Sequence, residues 1–349
     1  MRHGKRIPAL VLYPASWSLL ILVLLVLIEG AASWALAVRS VAFREPPDRH
    51  TRYDSLLGWS SEPGRIVEQA YGPGAPIRIN SLGFRGEEID SGAREGRVVC
   101  SGDSFTFGQG VGNGQDWCHG LARLNESLEP VNMGQPGYGV DQAYLWYMRD
   151  GLPLNPDVHV FAFVEGDFTR MLTAVMYGTG KPILRVSGGQ LEVRNVPVPR
   201  MRHTIGRAIE RAELRLVRLG SGLRRRLAND GNTNAVEAVL PVASLLFERL
   251  RDVNERQGIA TILVYLPTEV NLRKPSGMLE MVESLAADLG LNLVDLTPAL
   301  RMLPAHEAAG MFLADGHYSV EGNRWVAEAL SERLRALGVP GVSQPASAN

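Results

Sequence analysis

The chain has 349 residues, 45% hydrophobic and 21% charged, with a formal net charge of −1. These proportions exclude a disordered polymer and leave no global field to attract nucleic acid or another charged macromolecule. The two cysteines, Cys100 and Cys118, lack CxxC spacing and sit in no His/Cys cluster, so neither a metal nor a cofactor is expected. Cys100 lies in an apolar run that reads as a buried strand. Buried free thiols are therefore expected, with a Cys100–Cys118 bridge as the alternative in an oxidising compartment.

At the N-terminus, Arg2, Lys5 and Arg6 precede a nearly uncharged stretch from Ile7 to Val38, broken by Glu29 and most apolar from Leu19 to Ile28. About 20 apolar residues in a helix cross a bilayer. Residues 1–41 thus read as a short tail and a transmembrane anchor; the alternative is a signal peptide cleaved after Ala35-Leu36-Ala37. Arg39, Arg44, Arg49 and Arg52 offset the positive charge before the span, so charge alone does not orient it. A short tail and a large C-terminal domain favour an inner-membrane protein with its domain in the periplasm.

Residues 42–96 are rich in Gly, Pro and Arg and read as a tether with an irregular pre-domain, ordered at 53–59 and 77–85. Within it, Asn80-Ser81-Leu82-Gly83-Phe84-Arg85 has turn residues before an aromatic, as in a loop pinned to a larger domain by packing. From Arg97, strand-length apolar runs alternate with helix-period segments, the pattern of βα units on a parallel sheet. Strands are predicted at 97–101, 130–133, 158–164, 260–266 and 291–296. Helices are predicted at 117–125, 140–150, 235–257, 277–289 and 320–337, giving a domain over 97–338.

An insertion at about 169–234 interrupts the alternation and exceeds an ordinary connection. Its first part, 181–198, reads as a hairpin around Gly188-Gly189. Its second is dense in arginine from Arg200 to Arg226, with apolar residues between. That part reads as a solvated helix face, with an anionic membrane or glycan surface as the alternative. Residues 339–349 read as a disordered tail.

Three motifs follow predicted strands. Gly102-Asp103-Ser104-Phe105 presents a serine to the crevice beyond the sheet's carboxyl edge, where such folds bind ligands. Asn132-Met133-Gly134-Gln135-Pro136-Gly137-Tyr138-Gly139 has glycines that permit close backbone approach and positive φ. Asp315-Gly316-His317 pairs an imidazole with a carboxylate, as a general base requires. Each alone is a common turn or cap.

Together, in this order, the motifs resemble the SGNH (GDSL-like) hydrolase family over roughly Arg97 to Leu337, and the N-terminal segment with the Asn80–Arg85 stretch resembles its membrane-anchored bacterial members. The resemblance implies an α/β, three-layer, flavodoxin-like fold with a central parallel sheet, joined to the N-terminal transmembrane helix. It also implies Ser104 as nucleophile, His317 as base, Asp315 as its orienting carboxylate, and the Ser104 and Gly137 amides as the oxyanion hole. Two departures stand out. The family's Gly-x-Asn-Asp motif donates to the oxyanion through its asparagine, but this chain reads Val164-Glu165-Gly166-Asp167, so Gly166 takes that place. Losing one such donor costs about 2.7–4 kcal/mol of barrier. Asp167 and Arg170 are the nearby residues able to contact substrate or oxyanion instead. The family's Asp-x-x-His is also one residue shorter here.

The implied activity is serine-dependent ester hydrolysis without a cofactor, on an acyl ester such as an acetylated glycan. The alternatives are O-acyl transfer to an envelope polysaccharide and a catalytically weak binding module. The membrane is the expected partner of the N-terminal helix, and nucleic acid is not expected.

Overall fold

The computed structural model describes residues 17–30, 50–89, 96–125, 127–177, 179–200, 231–272 and 276–338. The chain divides into two compact units, and the larger runs over 49–202 and 231–349. In the smaller unit, residues 17–30 form helix α1, whose side chains from Trp17 to Ile28 are exposed. Among the described residues no helix is long and apolar enough to cross a membrane. The rest of the predicted anchor, the arginine-dense stretch after Arg200 and the C-terminal tail lie outside the described residues.

The larger unit opens with two small antiparallel pairs, β1 (Thr51–Asp54) with β2 (Gly58–Ser61) and β3 (Ile66–Val67) with β4 (Ile77–Arg78). The sheet strands β5 (Gly96–Gly102), β6 (Leu128–Gly134) and β7 (Val158–Phe163) follow. Next come the hairpins β8 (Val175–Met176) with β9 (Thr179–Gly180) and β10 (Ile183–Ser187) with β11 (Gln190–Arg194). The β10–β11 hairpin turns at Gly188-Gly189, as expected. The strands β12 (Ala260–Tyr265) and β13 (Asn292–Asp295) complete a sheet of order β13-β12-β7-β5-β6. Each of its pairings is parallel.

Because side chains alternate across a strand, this sheet divides its apolar residues between two faces. Val99, Val131, Phe161, Phe163, Leu263 and Tyr265 pack against α4 (Val140–Trp146), α6 (Gly231–Arg256) and α7 (Gly277–Leu289). Val98, Cys100, Val160, Ala162, Ile262 and Val264 face α3 (Trp117–Leu124) and α8 (Val320–Ala336). The short helices α2 (Ser104–Phe107) and α5 (Glu165–Arg170) follow β5 and β7 directly. Both faces are covered, as a parallel sheet requires.

Two expectations need correction. The free thiols are a disulfide: β5 turns Cys100 toward α3, where Cys118 lies in the first turn, and the Cα atoms are 6.2 Å apart, within bridging range. The predicted helix over 140–150 stays α-helical only to Trp146; a π-helical turn, Tyr147–Gly151, and a 3₁₀ turn, Leu152–Leu154, complete it. Pro153 has no N–H to continue an α ladder, and its ring would meet the carbonyl four residues back.

His159 on β7 is fully buried, its ring stacked on Tyr147 with centroids 3.5 Å apart. Asn254 donates to Nδ1 at 3.3 Å, which leaves Nε2–H to donate to Ser101 Oγ at 2.7 Å. Burial lowers its pKa to about 3. His50, stacked on Phe107, is lowered to about 4 by burial and by the charge of Arg85. Both fall below the unfolded value of about 6.5, so they contribute stability above pH 6.5 that is lost as pH falls. Urea unfolding should show a loss of about 1.4 kcal/mol per pH unit per histidine between pH 6.5 and 4.5. His159→Phe should remove roughly half of that slope.

Candidate active site

Ser104 is the first residue of α2, at the carboxyl end of β5. Asp103 caps that helix, its Oδ1 accepting the Phe105 amide at 2.8 Å. The turn leaves Ser104 5% exposed. Its Oγ lies 2.9 Å from His317 Nε2 and 3.3 Å from Asp103 Oδ2.

His317 reaches Ser104 from a turn 213 residues later in the chain. Leu313 donates to the His317 carbonyl at 2.7 Å, Gly316 donates to Leu313 at 2.9 Å, and Gly316 has φ +88°. A residue free of a side chain allows this tight conformation and lets the shortened motif close. Asp315 Oδ2 lies 3.0 Å from His317 Nδ1, and its Oδ1 accepts the His317 amide at 3.2 Å. With Nδ1–H donating to the carboxylate, the Nε2 lone pair faces the serine hydroxyl, the tautomer a general base needs. Partial burial pushes the Asp315 pKa up, but the bonds from His317 outweigh it and hold the carboxyl below its usual range. Phe105 lies beside the imidazole at a centroid distance of 5.1 Å. Next to it, buried Tyr318 donates to the Pro267 carbonyl at 2.6 Å.

Gly137 has φ +81°, a conformation that favours glycine. Among the described residues, neither its amide nor that of Ser104 donates to a protein acceptor. Its loop is tied down on two sides. Gln135 donates from its amide to the Gly102 carbonyl at 3.1 Å, which joins the loop to the end of β5. From the pre-domain, Trp59 Nε1 donates to the Pro136 carbonyl at 3.0 Å and Ser61 Oγ to Gln135 Oε1 at 2.8 Å. Tyr138 returns a bond from its hydroxyl to the Trp59 carbonyl. The sequence carries no local sign that Trp59 holds a loop 77 residues away.

Arg85 was expected to act through simple packing of its loop; its guanidinium does something more directed. It is 2% exposed and donates to the carbonyls of Phe107, Gly108, Val111 and Gly112. These carbonyls belong to the end of α2 and the loop after it. Buried Asp116 lies 3.9 Å from Arg85 Nε, accepts from Asn132 Nδ2 at 2.8 Å, and bonds the His119 ring. Asn132 also donates to the Thr106 carbonyl at 2.9 Å. The backbone that follows Ser104 is thereby held by buried side chains.

Gly166 and Asp167 lie in α5, with Arg170 at its last position. Asp167 Oδ2 accepts the Val164 amide at 3.0 Å, and its Oδ1 accepts from Arg170 Nη1. The same Nη1 donates to Asp103 Oδ2 at 3.0 Å and to the Tyr138 carbonyl at 2.9 Å. Burial and the neighbouring Asp103 charge push the Asp167 pKa well up, against the opposing pull of Arg170. Asp103 and Arg170 thus connect the Ser104, Gly137 and Asp167 segments. Tyr177, in the β8–β9 turn, is 70% exposed and holds φ +51°, uncommon for a bulky residue. A Cβ added to Gly137 would lie 2.6 Å from its ring, so the aromatic borders the Gly137 loop; nothing in the sequence marks it. Among the described residues no group of three His, Cys, Asp or Glu side chains forms a metal site.

No family model matches the chain, and no curated protein matches it. Among solved structures it is similar to a lipolytic protein of the G-D-S-L family from Desulfitobacterium hafniense DCB-2, with 17% identity over 68% of this chain and 99% of that one and a TM-score of 0.40. It is similar to a lipase/acylhydrolase from Enterococcus faecalis, with 14% identity over 69% and 96% and a TM-score of 0.39. It is also similar to an acetylxylan esterase from Geobacillus stearothermophilus, with 13% identity over 72% and 98% and a TM-score of 0.41. At these levels the fold and chemistry of the chain rest on its own strand order and side-chain geometry.

Replacing Arg85 by Met should destabilise the protein by about 3–5 kcal/mol, because it leaves buried carbonyls and Asp116 without their cation. Arg85→Lys should rescue only part, since an ammonium lacks the planar fork that reaches four carbonyls. Thermal unfolding of both variants measures this.

Proposed function

We propose that the chain is a serine-dependent ester hydrolase of the SGNH type, acting through an acyl-enzyme on Ser104. The observation that carries the reading is the relay Asp315–His317–Ser104, with spacings of 3.0 Å and 2.9 Å. In this mechanism Ser104 Oγ attacks the ester carbonyl carbon while His317 Nε2 takes the hydroxyl proton and the carbonyl electrons move onto oxygen. The amides of Ser104 and Gly137 donate to that oxygen. Collapse expels the alcohol, which receives the proton from His317; water then repeats the sequence and releases the acid.

The finer reading is an acetyl ester on a carbohydrate. Tyr177 supports it: an exposed aromatic face beside the oxyanion loop offers a sugar ring an apolar surface. Two observations support a membrane-anchored, periplasmic enzyme. The side chains of α1 are predominantly apolar and exposed, and the Cys100–Cys118 disulfide suits an oxidising compartment.

The test is hydrolysis of p-nitrophenyl acetate by the full-length chain, with labelling by a fluorophosphonate. Ser104→Ala should abolish both turnover and label, and His317→Ala should lower kcat by about 1000-fold or more. Asp315→Ala should cost less, roughly 10- to 150-fold, the worth of one hydrogen bond to a charged group. A folded wild-type protein that neither turns over nor takes the label would refute the reading. Tyr177→Ala should raise KM for an acetylated oligosaccharide several-fold while leaving kcat for p-nitrophenyl acetate within about twofold.

A further inference from the structure

We infer that Arg170 supplies, through Nη2, the third oxyanion donor that Gly166 lacks; the inference rests on the ester-hydrolase reading of Ser104. Positions 166 and 170 are one helical turn apart in α5 and share a face, and helical side chains lean toward the N-terminus. Arg170 therefore reaches back over Gly166. A Cβ placed on Gly166 would stand 3.7 Å from Arg170 Nη2. A side chain at 166 would therefore start in van der Waals contact with the guanidinium, and a glycine there leaves the guanidinium uncrowded.

The two ends of the guanidinium are used differently. Nη1 is anchored on Asp103, Asp167 and the Tyr138 carbonyl, whereas Nη2 donates to no acceptor among the described residues. The side chain is 19% exposed, so it is not sealed from solvent. Asp103 Oδ2 lies 3.3 Å from Ser104 Oγ and accepts from Arg170 Nη1 at 3.0 Å. Nucleophile and guanidinium therefore flank a single oxygen. A planar cation anchored at one nitrogen needs no reorganisation when negative charge appears near the other, the condition under which a preorganised donor lowers a barrier most.

Full-length wild type, Arg170→Gln, Arg170→Lys, Gly166→Asn and the Gly166→Asn/Arg170→Gln double variant decide the matter with p-nitrophenyl acetate as substrate. Arg170→Gln should lower kcat by about 100- to 1000-fold, as loss of one oxyanion donor does, with KM within about threefold. Affinity for phenylboronic acid, which forms a tetrahedral anion on the serine, should fall in parallel. Gly166→Asn should recover at least about tenfold in the Arg170→Gln background and add nothing in wild type, where Arg170 already donates. Loss of the anchoring contacts alone would move neither the boronate affinity nor this recovery. Should Arg170→Gln fail to fold, Arg170→Lys carries the test, because it keeps the charge facing Asp103 and Asp167 but not the second amino group; its kcat should fall at least about tenfold. An active wild type whose Arg170 variants keep their kcat overturns the inference alone. So does a fall in kcat that Gly166→Asn leaves uncorrected while boronate affinity stays constant. An inactive, unlabelled wild type removes the ester-hydrolase reading, and the inference with it.

Discussion

A serine hydroxyl and an imidazole from opposite ends of the domain meet at 2.9 Å, and much of the architecture is a means of keeping them there. Neither group is held by its own loop alone. Ser104 is fixed by the capped turn that ends β5, and His317 by a glycine-dependent turn that also supplies its carboxylate. The parallel sheet makes the meeting geometrically available, since β5, β6 and β7 are neighbours and present their carboxyl ends along one edge. An antiparallel arrangement of the same strands would send alternate loops to opposite edges.

Around that contact, the molecule meets a second demand, the satisfaction of buried backbone. The loop after Ser104 is irregular and lies inside the protein, where an unpaired carbonyl costs free energy comparable to a lost hydrogen bond. Arg85 answers this with one fork spread over four carbonyls, and Asn132 and Asp116 extend the bracing to α2 and α3. The segment before β5 thus contributes the Arg85 cation to the loop after α2 and, through Trp59 and Ser61, two bonds to the Gly137 loop. Buried charge recurs at the first turn of α4, where Lys181 donates to Asp141 at 2.7 Å with both side chains fully buried. Lys181 also donates to the Arg170 carbonyl at 3.0 Å. This contact couples the hairpin insertion to the end of α5, on which Arg170 stands.

The sheet and its helices were largely legible in the sequence because their periodicity is long and regular. The segment 277–289 is helical over that whole range, and the strand read at 97–101 extends one residue further at each end. Where the reading missed, a nonlocal partner made the difference. Periodicity identified Cys100 as buried, but only the facing helix brings Cys118 opposite it. Local apolar spacing continued the fourth helix past Trp146, although Pro153 ends the regular ladder.

By itself the sequence determined which chemical groups follow the strands: Ser104 and Gly137, Gly166 where a side-chain donor was expected, and His317 with Asp315 in a turn well beyond the last strand. Local pattern suffices for this, since turn residues and apolar alternation report where a strand stops. Tertiary structure alone decided what surrounds those groups: Arg85 under the loop after Ser104, Tyr177 against Gly137, and Arg170 held by two carboxylates with no acceptor for its second amino group among the described residues. These contacts join residues from separate strands, hairpins and helices, and no periodicity in one segment encodes the distance to another. Only packing around the common sheet sets it.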